Sequence, residues 1–231
     1  MDSEREKLSH PLKVLSVVRE TTDAVSICLD IPSELKNKFQ YRAGQFITLF
    51  LEIDKVLVRR SYSLSSSPEV DKEFKITVKL VAGGKASPLL SQKIKPGDIL
   101  WAAPPSGGFC LPSRLENQQF VFFAAGSGIT PVISLIKSAL SLSTTCQCHL
   151  IYQNRNEASV IFKNELEQLV KTHSNQLKIY YCVNDGEKTN FKVQNFLPSD
   201  KSFIKNYFKE HQLEAHAIPF LCGPDGFMKP I

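Results

Sequence analysis

The first half of the chain alternates apolar and polar positions in short runs that are separated by turn residues. These runs read LKVLSVVRE, AVSICLDI, GQFITLFLEI, KVLVRRSYSLS, EFKITVKLV and DILWAAP. The breaks between them hold turn-forming pairs such as Asp54 with Lys55, Gly83 with Gly84, and Pro96 with Gly97. Closely spaced short strands with few helical stretches predict a closed or nearly closed antiparallel barrel. One short helix is expected inside it, at about residues 87–93, with Pro88 in its first turn.

After Pro112 the pattern changes to apolar strands that alternate with helical periods. QFVFFAA, residues 119–125, is apolar almost throughout, which is typical of a strand covered on both faces. It is followed by PVISLIKSAL, CHLIYQ, FKNELEQLVKTH, LKIYYCV, SFIKNYFKEH and IPFLC, alternately helix and strand. This order predicts a parallel sheet with helices on its faces. We therefore expect a β-barrel domain over residues 8–113 and an α/β domain over residues 114–231, joined near the polar SRLENQ segment.

The composition is that of a globular protein that can bury a core. The chain has 231 residues, of which 42% are hydrophobic and 22% charged. No run approaches the roughly 20 apolar residues that a membrane span needs. The opening MDSEREKLSH has no apolar stretch behind a basic start, so it predicts neither a signal peptide nor a transit peptide. We expect a soluble cytoplasmic protein without a membrane partner.

Charge and cysteine usage exclude further classes of protein. The net charge of +5 is spread along the chain, and without a clustered basic patch or a known module it does not indicate nucleic-acid binding. The excess would suit docking to an acidic protein partner, or serve solubility alone. The six cysteines include no CxxC pair, and the five histidines form no ligand pattern. We therefore predict reduced thiols and no metal site.

The most informative motif is RRSYSLS, residues 59–65, within a predicted strand. Alternation places Arg60 and Tyr62 on one face and Ser61 and Ser63 on the other. A cation, a flat apolar ring and short hydroxyls at fixed spacing would suit a phosphorylated aromatic cofactor that wraps the strand edge. The alternative is a barrel strand without a ligand, in which the arginine is solvated and the tyrosine half-buried.

A second motif, VAGGKASPLL, places two glycines before the predicted short helix. Free amides at a helix N-terminus, with the hydroxyl of Ser87 and the ammonium of Lys85, would form a seat for a pyrophosphate. The alternative is a glycine turn followed by an N-capping serine.

Two further turns lie at the predicted carboxyl edge of the parallel sheet, where ligands collect in such folds. GSGITP, residues 126–131, follows the first strand of the α/β half, and Thr130 offers a hydroxyl there. It is not the GxGxxG of the two-domain dehydrogenases, because the third glycine position holds Pro131. Cys222, Gly223 and Pro224 follow the last strand, where a small thiol can lie against a flat ring. Taken alone, this segment reads as a buried cysteine before a turn.

The four turns in this order resemble the ferredoxin–NADP reductase superfamily of flavin-dependent reductases. Through VRRSYSLSSSP, AGSGITP and YQNRNEASVIFKNEL, the chain is most similar to the reductase components of multicomponent oxygenases, such as the phenylacetyl-CoA oxygenase reductase type. The resemblance spans about residues 10–228. It implies an antiparallel barrel for FAD, residues 8–113, followed by an α/β domain for NADH or NADPH, residues 114–231.

The resemblance also implies roles for individual residues. Arg60 corresponds to the arginine on the FAD pyrophosphate, Ser61 lies beside it, and Tyr62 corresponds to the aromatic against the isoalloxazine ring. Ser63 and Cys222 are the implied catalytic positions, near flavin N5 and beside the nicotinamide. The implied flavin-phosphate motif comprises Gly84, Lys85, Ala86 and Ser87. The implied nicotinamide-nucleotide positions are Gly126, Gly128, Ile129, Thr130, Pro131, Cys222, Gly223 and Pro224. In such enzymes the protein stacks the two rings and excludes water, while the cofactor carries the reactivity.

The second α/β strand is followed by Asn154, Arg155 and Asn156, in the region where such folds contact the ribose of the adenosine. Arg155 would pair with a 2′-phosphate, and no carboxylate directly follows the strand, which favours NADPH. Glu157 argues against it, and a solvated arginine explains the pattern equally well. The choice between NADH and NADPH stays open at this point.

The chain ends at Ile231, whereas related proteins continue into a closing helix and many add a ferredoxin-like 2Fe-2S domain. We expect either a shortened chain or an acceptor centre on a separate polypeptide. The leading hypothesis is an FAD-dependent NAD(P)H oxidoreductase that passes electrons to an iron–sulfur protein or oxygenase component. A freestanding ferredoxin or flavin reductase is the second hypothesis, and a nucleotide-binding scaffold without turnover is the third.

Overall fold

The computed structural model describes residues 2–183, 201–213 and 216–228. Within these residues the strands form two separate sheets. In chain order the strands are β1 (His10–Thr21), β2 (Ala24–Leu29), β3 (Phe46–Ile53), β4 (Val56–Ser63), β5 (Phe74–Lys79), β6 (Ile99–Ala102), β7 (Gln119–Ala125), β8 (Gln147–Asn154), β9 (Leu177–Val183) and β10 (Ile218–Cys222). Ile231, where the predicted second domain ends, lies outside the described residues.

The first sheet has six antiparallel strands in the order β4-β3-β6-β1-β2-β5. It closes where the chain leaves β4, because Leu64 bridges to Ile76 and the amide of Ser65 donates to the carbonyl of Lys75 at 2.8 Å. The alternating apolar residues of these strands face inward, and Leu12, Ile47 and Leu49 are fully buried. The predicted antiparallel barrel is confirmed.

The second sheet is parallel, in the order β10-β7-β8-β9. Both faces are covered, as the uninterrupted apolar run of β7 predicted. Phe120 and Phe122 belong to the core cluster that includes α3, and Val121 and Phe123 belong to the cluster on the other face, with α5. The predicted α/β half is confirmed, and its strands all bring their carboxyl ends to one edge.

The helices of the described residues pack on these two sheets. They are α1 (Asp2–Leu8), α2 (Ala86–Pro88), α3 (Ile129–Leu142), α4 (Lys163–Thr172), α5 (Lys201–Glu210) and α6 (Asp225–Met228). The predicted short helix begins one residue early, at Ala86, and continues from α2 into a π-helical turn, Leu89–Lys93, with Pro88 in its first turn. We did not predict α1. It lies outside the barrel, where Arg5 stacks over the ring of Trp101 at 4.5 Å.

Residues 65–71, which we call the clamp segment, join the barrel to α3. The hydroxyl of Ser134 on α3 donates to the carbonyl of Ser66 at 2.6 Å. One helical turn later, the hydroxyls of Ser67 and Ser138 are 2.8 Å apart and buried. Because these bonds are shielded from water, they fix the position of one half of the molecule against the other.

Lys137 of α3 completes this contact from a position where its side chain is only 5% exposed. Its ammonium lies 2.6 Å from a carboxylate oxygen of Asp71, in the clamp segment, and 2.6 Å from one of Glu165, on α4. Burial alone lowers the pKa of this lysine, but the two carboxylates outweigh burial and the net pKa is raised. The lysine is therefore charged when the halves are in contact.

Candidate functional site

A cleft of about 520 Å³, which we call the first cleft, opens between the barrel and the carboxyl edge of the parallel sheet. Both halves of the chain contribute to its walls. The residues that line it are Arg60, Ser61, Tyr62, Ser63, Thr77, Lys79, Val81, Gly84, Lys85, Ala86, Ser87, Ser127, Gly128, Thr130, Cys222, Gly223 and Pro224. The structure therefore brings most of the predicted site residues to one place.

Four consecutive residues of β4 form the barrel wall of the first cleft. The ring of Tyr62 is half-buried, and burial raises the pKa of its phenol although Arg60 opposes the shift. Ser61 lies opposite Thr48 of β3, with their hydroxyls 3.0 Å apart. Arg60 is exposed, and its guanidinium donates to the carbonyl of Arg59 at 2.7 Å. A protonated phenol, hydroxyls and a permanent cation thus face the cleft together with Ser63.

The turn before α2 is shaped by two hydrogen bonds that cross it. The amide of Gly84 donates to the carbonyl of Val81 at 3.0 Å, and the amide of Val81 donates to the hydroxyl of Ser87 at 3.0 Å. A Cβ on Gly84 would lie 2.9 Å from that hydroxyl, so a side chain would disturb the turn. The turn presents the start of α2, with Lys85 exposed, to the first cleft.

Two glycine turns of the α/β half meet at the opposite wall. A Cβ on Gly128 would lie 2.0 Å from the carbonyl oxygen of Cys222, a distance at which no side chain fits. A Cβ on Gly223 would lie 2.6 Å from the ring of Phe227 and 3.0 Å from the Cβ of Ala125. The turns after β7 and β10 therefore touch backbone to backbone, and only glycine allows this contact.

Gly126 begins the turn after β7 with a φ of 52°, in the left-handed region that favours glycine. Its carbonyl accepts a hydrogen bond of 2.9 Å from the phenol of Tyr152, whose pKa burial raises. Through this hydrogen bond, Tyr152 of β8 holds the turn after β7 in place.

The other predicted residues of this turn lie within α3. The hydroxyl of Thr130 donates to the carbonyl of Ser127 at 3.0 Å and still faces the first cleft. Ile129 is fully buried and Pro131 is buried within the helix, and neither lines the cleft. These two residues are buried in the first turn of α3 and have no contact with the cleft.

Cys222 ends β10 and is half-buried at the wall of the first cleft. Burial raises the pKa of its thiol, so the group stays protonated and is not poised as a nucleophile. With Gly223 and Pro224 it presents a small, uncharged surface to the cleft.

A second cleft of about 710 Å³ adjoins the first and shares Lys79, Val81, Ser127 and Pro224 with it. It lies beyond the carboxyl ends of β7, β8 and β10. Its other lining residues are Asp23, Leu80, Ala82, Ala125, Gly126, Gln153, Asn154, Arg155, Gly226 and Phe227. The two clefts together form a continuous groove between the two halves of the chain.

Arg155 lies in the second cleft but is already paired. Its guanidinium donates to a carboxylate oxygen of Asp23, in the turn between β1 and β2, at 2.7 Å. The sequence pattern left the partner of this arginine open, because Asp23 is distant in the chain and belongs to the barrel.

Asn154, the last residue of β8, has a side chain in the second cleft that is only 5% exposed. Among the described residues neither its amide nitrogen nor its amide oxygen has a hydrogen-bond partner. A buried amide without partners costs free energy, which a ligand with a donor and an acceptor would relieve.

Among the charged and polar residues that face the two clefts, sequence reasoning did not single out Asp23, Thr77 and Lys79. A signal existed for two of them, because Thr77 and Lys79 occupy alternate positions on β5. Asp23 carried no local signal, since the pairing of β2 with β5, two strands distant in the chain, places its turn beside Lys79.

Charge is distributed unevenly along the groove. Among the described residues that line the first cleft there are three cations, Arg60, Lys79 and Lys85, and no carboxylate. Such a wall favours an anionic ligand.

In the part of the chain that the structure describes, no group of three or more His, Cys, Asp or Glu side chains is placed to hold a metal ion. Among those same residues, no helix is long and apolar enough to cross a membrane.

Comparison with family models divides the chain into two matched regions. Residues 11–110 match the oxidoreductase FAD-binding domain, and residues 122–231 match the oxidoreductase NAD-binding domain. The first match covers the barrel and the second covers the parallel sheet.

Curated relatives cover nearly all of this chain but are longer. The ferredoxin reductase component of 3-ketosteroid-9-alpha-monooxygenase from Rhodococcus rhodochrous is 40% identical over 227 residues, which are 95% of this chain and 59% of the relative. A component protein of the 1,2-phenylacetyl-CoA epoxidase from Escherichia coli strain K12 is 34% identical over 220 residues, 95% of this chain and 61% of that protein. The chain thus spans about three fifths of the length of these relatives.

Solved structures share the fold. A ferredoxin NADP+ reductase from Neisseria gonorrhoeae, solved with bound FAD and NADP, superimposes with a TM-score of 0.79. It is 21% identical, and the match covers 96% of this chain and 88% of that chain. At this identity the comparison supports the two-domain architecture alone.

Proposed function

Because this chain belongs to the ferredoxin–NADP reductase superfamily of flavin-dependent oxidoreductases, we propose that it transfers electrons from NADH or NADPH, through FAD, to a protein acceptor. One observation carries the proposal. A groove between the FAD-binding and NAD-binding halves has three cations and no carboxylate at its first cleft, among the described lining residues. An enzyme of this class needs such a groove, because both of its ligands carry a pyrophosphate and a flat ring.

The residues of the first cleft fit FAD. Its pyrophosphate needs fixed cations and amide donors, and Arg60, Lys79, Lys85 and the start of α2 supply them. The glycine at position 84 keeps the turn open, since a Cβ there would contact both Ser87 and Val81. We propose that Arg60 and residues 84–87 hold the phosphates.

The neighbouring residues of β4 would orient the ring. We propose that Tyr62 lies against the isoalloxazine, because its ring is half-buried and its phenol stays uncharged at neutral pH. Ser61 and Ser63 would offer hydroxyls to the polar edge of the flavin. Bound FAD would supply the redox chemistry itself, taking two electrons from a nicotinamide nucleotide and releasing them singly.

The nicotinamide nucleotide would enter from the second cleft and reach into the first. Gly126 would let a ligand in the second cleft lie against bare backbone, and Gly128 and Thr130 line the adjoining wall of the first cleft. Cys222, with Gly223 and Pro224, would limit the position of the nicotinamide ring without adding a charge or a base. We propose that Ser63 and Cys222 act from opposite walls to bring the two rings together and exclude water.

The acceptor is a proposal that rests on the relatives. The Rhodococcus relative is named as a ferredoxin reductase component of a monooxygenase, and the Escherichia coli relative as part of an epoxidase. We propose an iron–sulfur protein or an oxygenase component as the partner of this chain. From the sequence we also propose domain limits of 8–113 and 114–231. A cytoplasmic location is a further proposal from the sequence.

Anaerobic titration with each nucleotide tests the proposed function. The purified protein should be yellow, with absorbance near the usual bands of oxidised flavin, and NADH or NADPH should bleach it in a stopped-flow trace. Ferricyanide, a small oxidant, should then restore the colour, which separates turnover from mere binding. A yellow protein that neither nucleotide bleaches would refute the reductase function and leave a nucleotide-binding scaffold.

A set of protein acceptors then identifies the partner. Reduction of an added ferredoxin or oxygenase component, faster than reduction of free flavin, supports the proposed role. A chain that reduces free flavin faster than it reduces any ferredoxin or oxygenase component would instead be a freestanding flavin reductase.

A further inference from the structure

Asp23 is a barrel residue that reaches across the mouth of the second cleft. One of its carboxylate oxygens accepts from the guanidinium of Arg155 at 2.7 Å and lies 3.7 Å from the ammonium of Lys79. The other oxygen accepts from the hydroxyl of Thr21 at 2.8 Å. The hydrogen bond from Thr21 thus fixes the carboxylate within the turn between β1 and β2, independently of its contact with the α/β half.

The two partners of this ion pair differ in exposure. The side chain of Asp23 is 18% exposed, whereas that of Arg155 is 70% exposed. Among the described residues that line the second cleft, Asp23 is the one carboxylate and Lys79 and Arg155 are the cations. The carboxylate is therefore the anchored member, and it turns the guanidinium toward the barrel.

The ion pair lies just past the carboxyl end of β8, where folds of this kind test the ribose of the adenosine. A ribose 2′-phosphate that approaches Arg155 would compete with Asp23 for the guanidinium. It would also bring a second anion close to a fixed carboxylate, which is unfavourable. A ribose with a free 2′-hydroxyl meets no such penalty, because a carboxylate accepts hydrogen bonds from hydroxyls.

We propose that Asp23 is a specificity-determining residue that disfavours the 2′-phosphate and so makes the enzyme prefer NADH to NADPH. This inference rests on the proposed function, since it concerns the same nucleotide site. It makes a choice between NADH and NADPH that the isolated sequence pattern around Arg155 left open.

Direct binding of two adenosine ligands tests the proposal without any turnover. The Kd values of AMP and 2′-phospho-AMP are measured by isothermal titration calorimetry on the wild type and on Asp23→Asn. The wild type should bind AMP at least as tightly as 2′-phospho-AMP. In Asp23→Asn, which keeps the acceptor for Thr21, the affinity ratio should shift toward 2′-phospho-AMP by about tenfold.

Two further variants assign the shift to the ion pair. Asp30→Asn makes the same chemical change at an exposed barrel position outside both clefts, and its ratio should equal that of the wild type. Asp23→Asn combined with Arg155→Gln should lose the gain, because the guanidinium that would bind the phosphate is gone.

Three results would overturn the proposal: a wild type that prefers 2′-phospho-AMP, an unchanged ratio in Asp23→Asn, or a shift that survives in the double variant. Steady-state oxidation of NADH and NADPH with ferricyanide should follow the same ratios. A wild type that oxidises neither nucleotide would refute the proposed function, while the binding ratios would still decide the role of Asp23.

Discussion

The two halves of the molecule meet in two regions of opposite character. At the clamp segment, buried serines and Lys137 join the barrel to α3 through short hydrogen bonds. At the groove, the halves leave open space, and the pair of Asp23 and the exposed Arg155 spans its mouth. The first region is closed and fully paired, whereas the second is open and rich in cations.

The difference shows how the fold separates rigidity from binding. A buried, paired contact keeps its strength because water does not compete for its hydrogen bonds. An ion pair with one exposed partner contributes little to stability, so its charges are available to discriminate between ligands. Stability of the arrangement should therefore depend on the clamp segment, and binding should depend on the groove.

The largest effect is expected from Lys137→Met at the clamp. Removing the ammonium leaves the carboxylates of Asp71 and Glu165 next to each other, with only the ammonium of Lys75, 4.0 Å from Glu165, to offset their charge. The free energy of unfolding should fall by about 3 kcal/mol, the lower end for breaking a buried ion pair, because Glu165 is partly exposed. Urea denaturation followed by circular dichroism measures it. Lys171→Met, at an exposed position of α4, is the control, and a loss of under about 1 kcal/mol in Lys137→Met would contradict the prediction.

Arg60→Gln should affect the groove and leave the clamp intact. Loss of one charge-assisted contact to the FAD phosphates should weaken FAD binding by about 2 kcal/mol, or roughly thirtyfold, at unchanged stability. Fluorescence titration of the apoprotein with FAD measures the Kd. Arg59→Gln serves as the control, because Arg59 lies over the ring of Phe50 and does not line the cleft. Equal losses in both variants would show that the charge acts at long range and not at the cleft.

Gly128→Ala should separate the two turns at the α/β wall of the groove. The new Cβ would force the carbonyl of Cys222 away, since 2.0 Å is far below any contact distance. We expect the rate of flavin bleaching by NADH to fall about tenfold, with FAD still bound by the barrel. Stopped-flow absorbance gives this rate. Gly108→Ala has open space around its Cβ and should behave as the wild type. An unchanged rate in Gly128→Ala would mean that the wall does not position the nucleotide.

The smallest effect per pH unit concerns acid and a histidine that lies in neither of these two regions. His149 lies on the other face of the parallel sheet, 3.2 Å from the phenol of Tyr207, and burial, with His211 and Lys178, lowers its pKa to about 4. Between pH 6.5 and 4 the unfolded state binds the extra proton, so stability falls as the pH falls, by up to about 1 kcal/mol per pH unit. In His149→Gln this slope should be shallower by that amount. Thermal unfolding between pH 4 and 7 measures it, and parallel curves for the two proteins would exclude His149 as the cause.

Much of the candidate site followed from local pattern. Period-two alternation placed Arg60 to Ser63 on a barrel strand, and the apolar run of β7 placed the glycine turn of residues 126–128 at a sheet edge. These predictions succeeded because neighbouring residues on a strand and the first residues after it are fixed by short-range geometry. Ile129 and Pro131, which the resemblance placed at the nucleotide, do not line the two clefts, because both are buried in the first turn of α3.

The sequence by itself determined the two sheets, the order of the four turns and the presence of cations among them. Only the tertiary structure decided that the clamp segment lies on α3, that Gly128 touches Cys222, and that Asp23 pairs with Arg155. Each of these contacts joins residues far apart in the chain, so no periodicity records it. These contacts form only when both cores have folded and packed against each other. Ordering segments so distant in the chain costs conformational entropy, and burial of the whole interface offsets that cost.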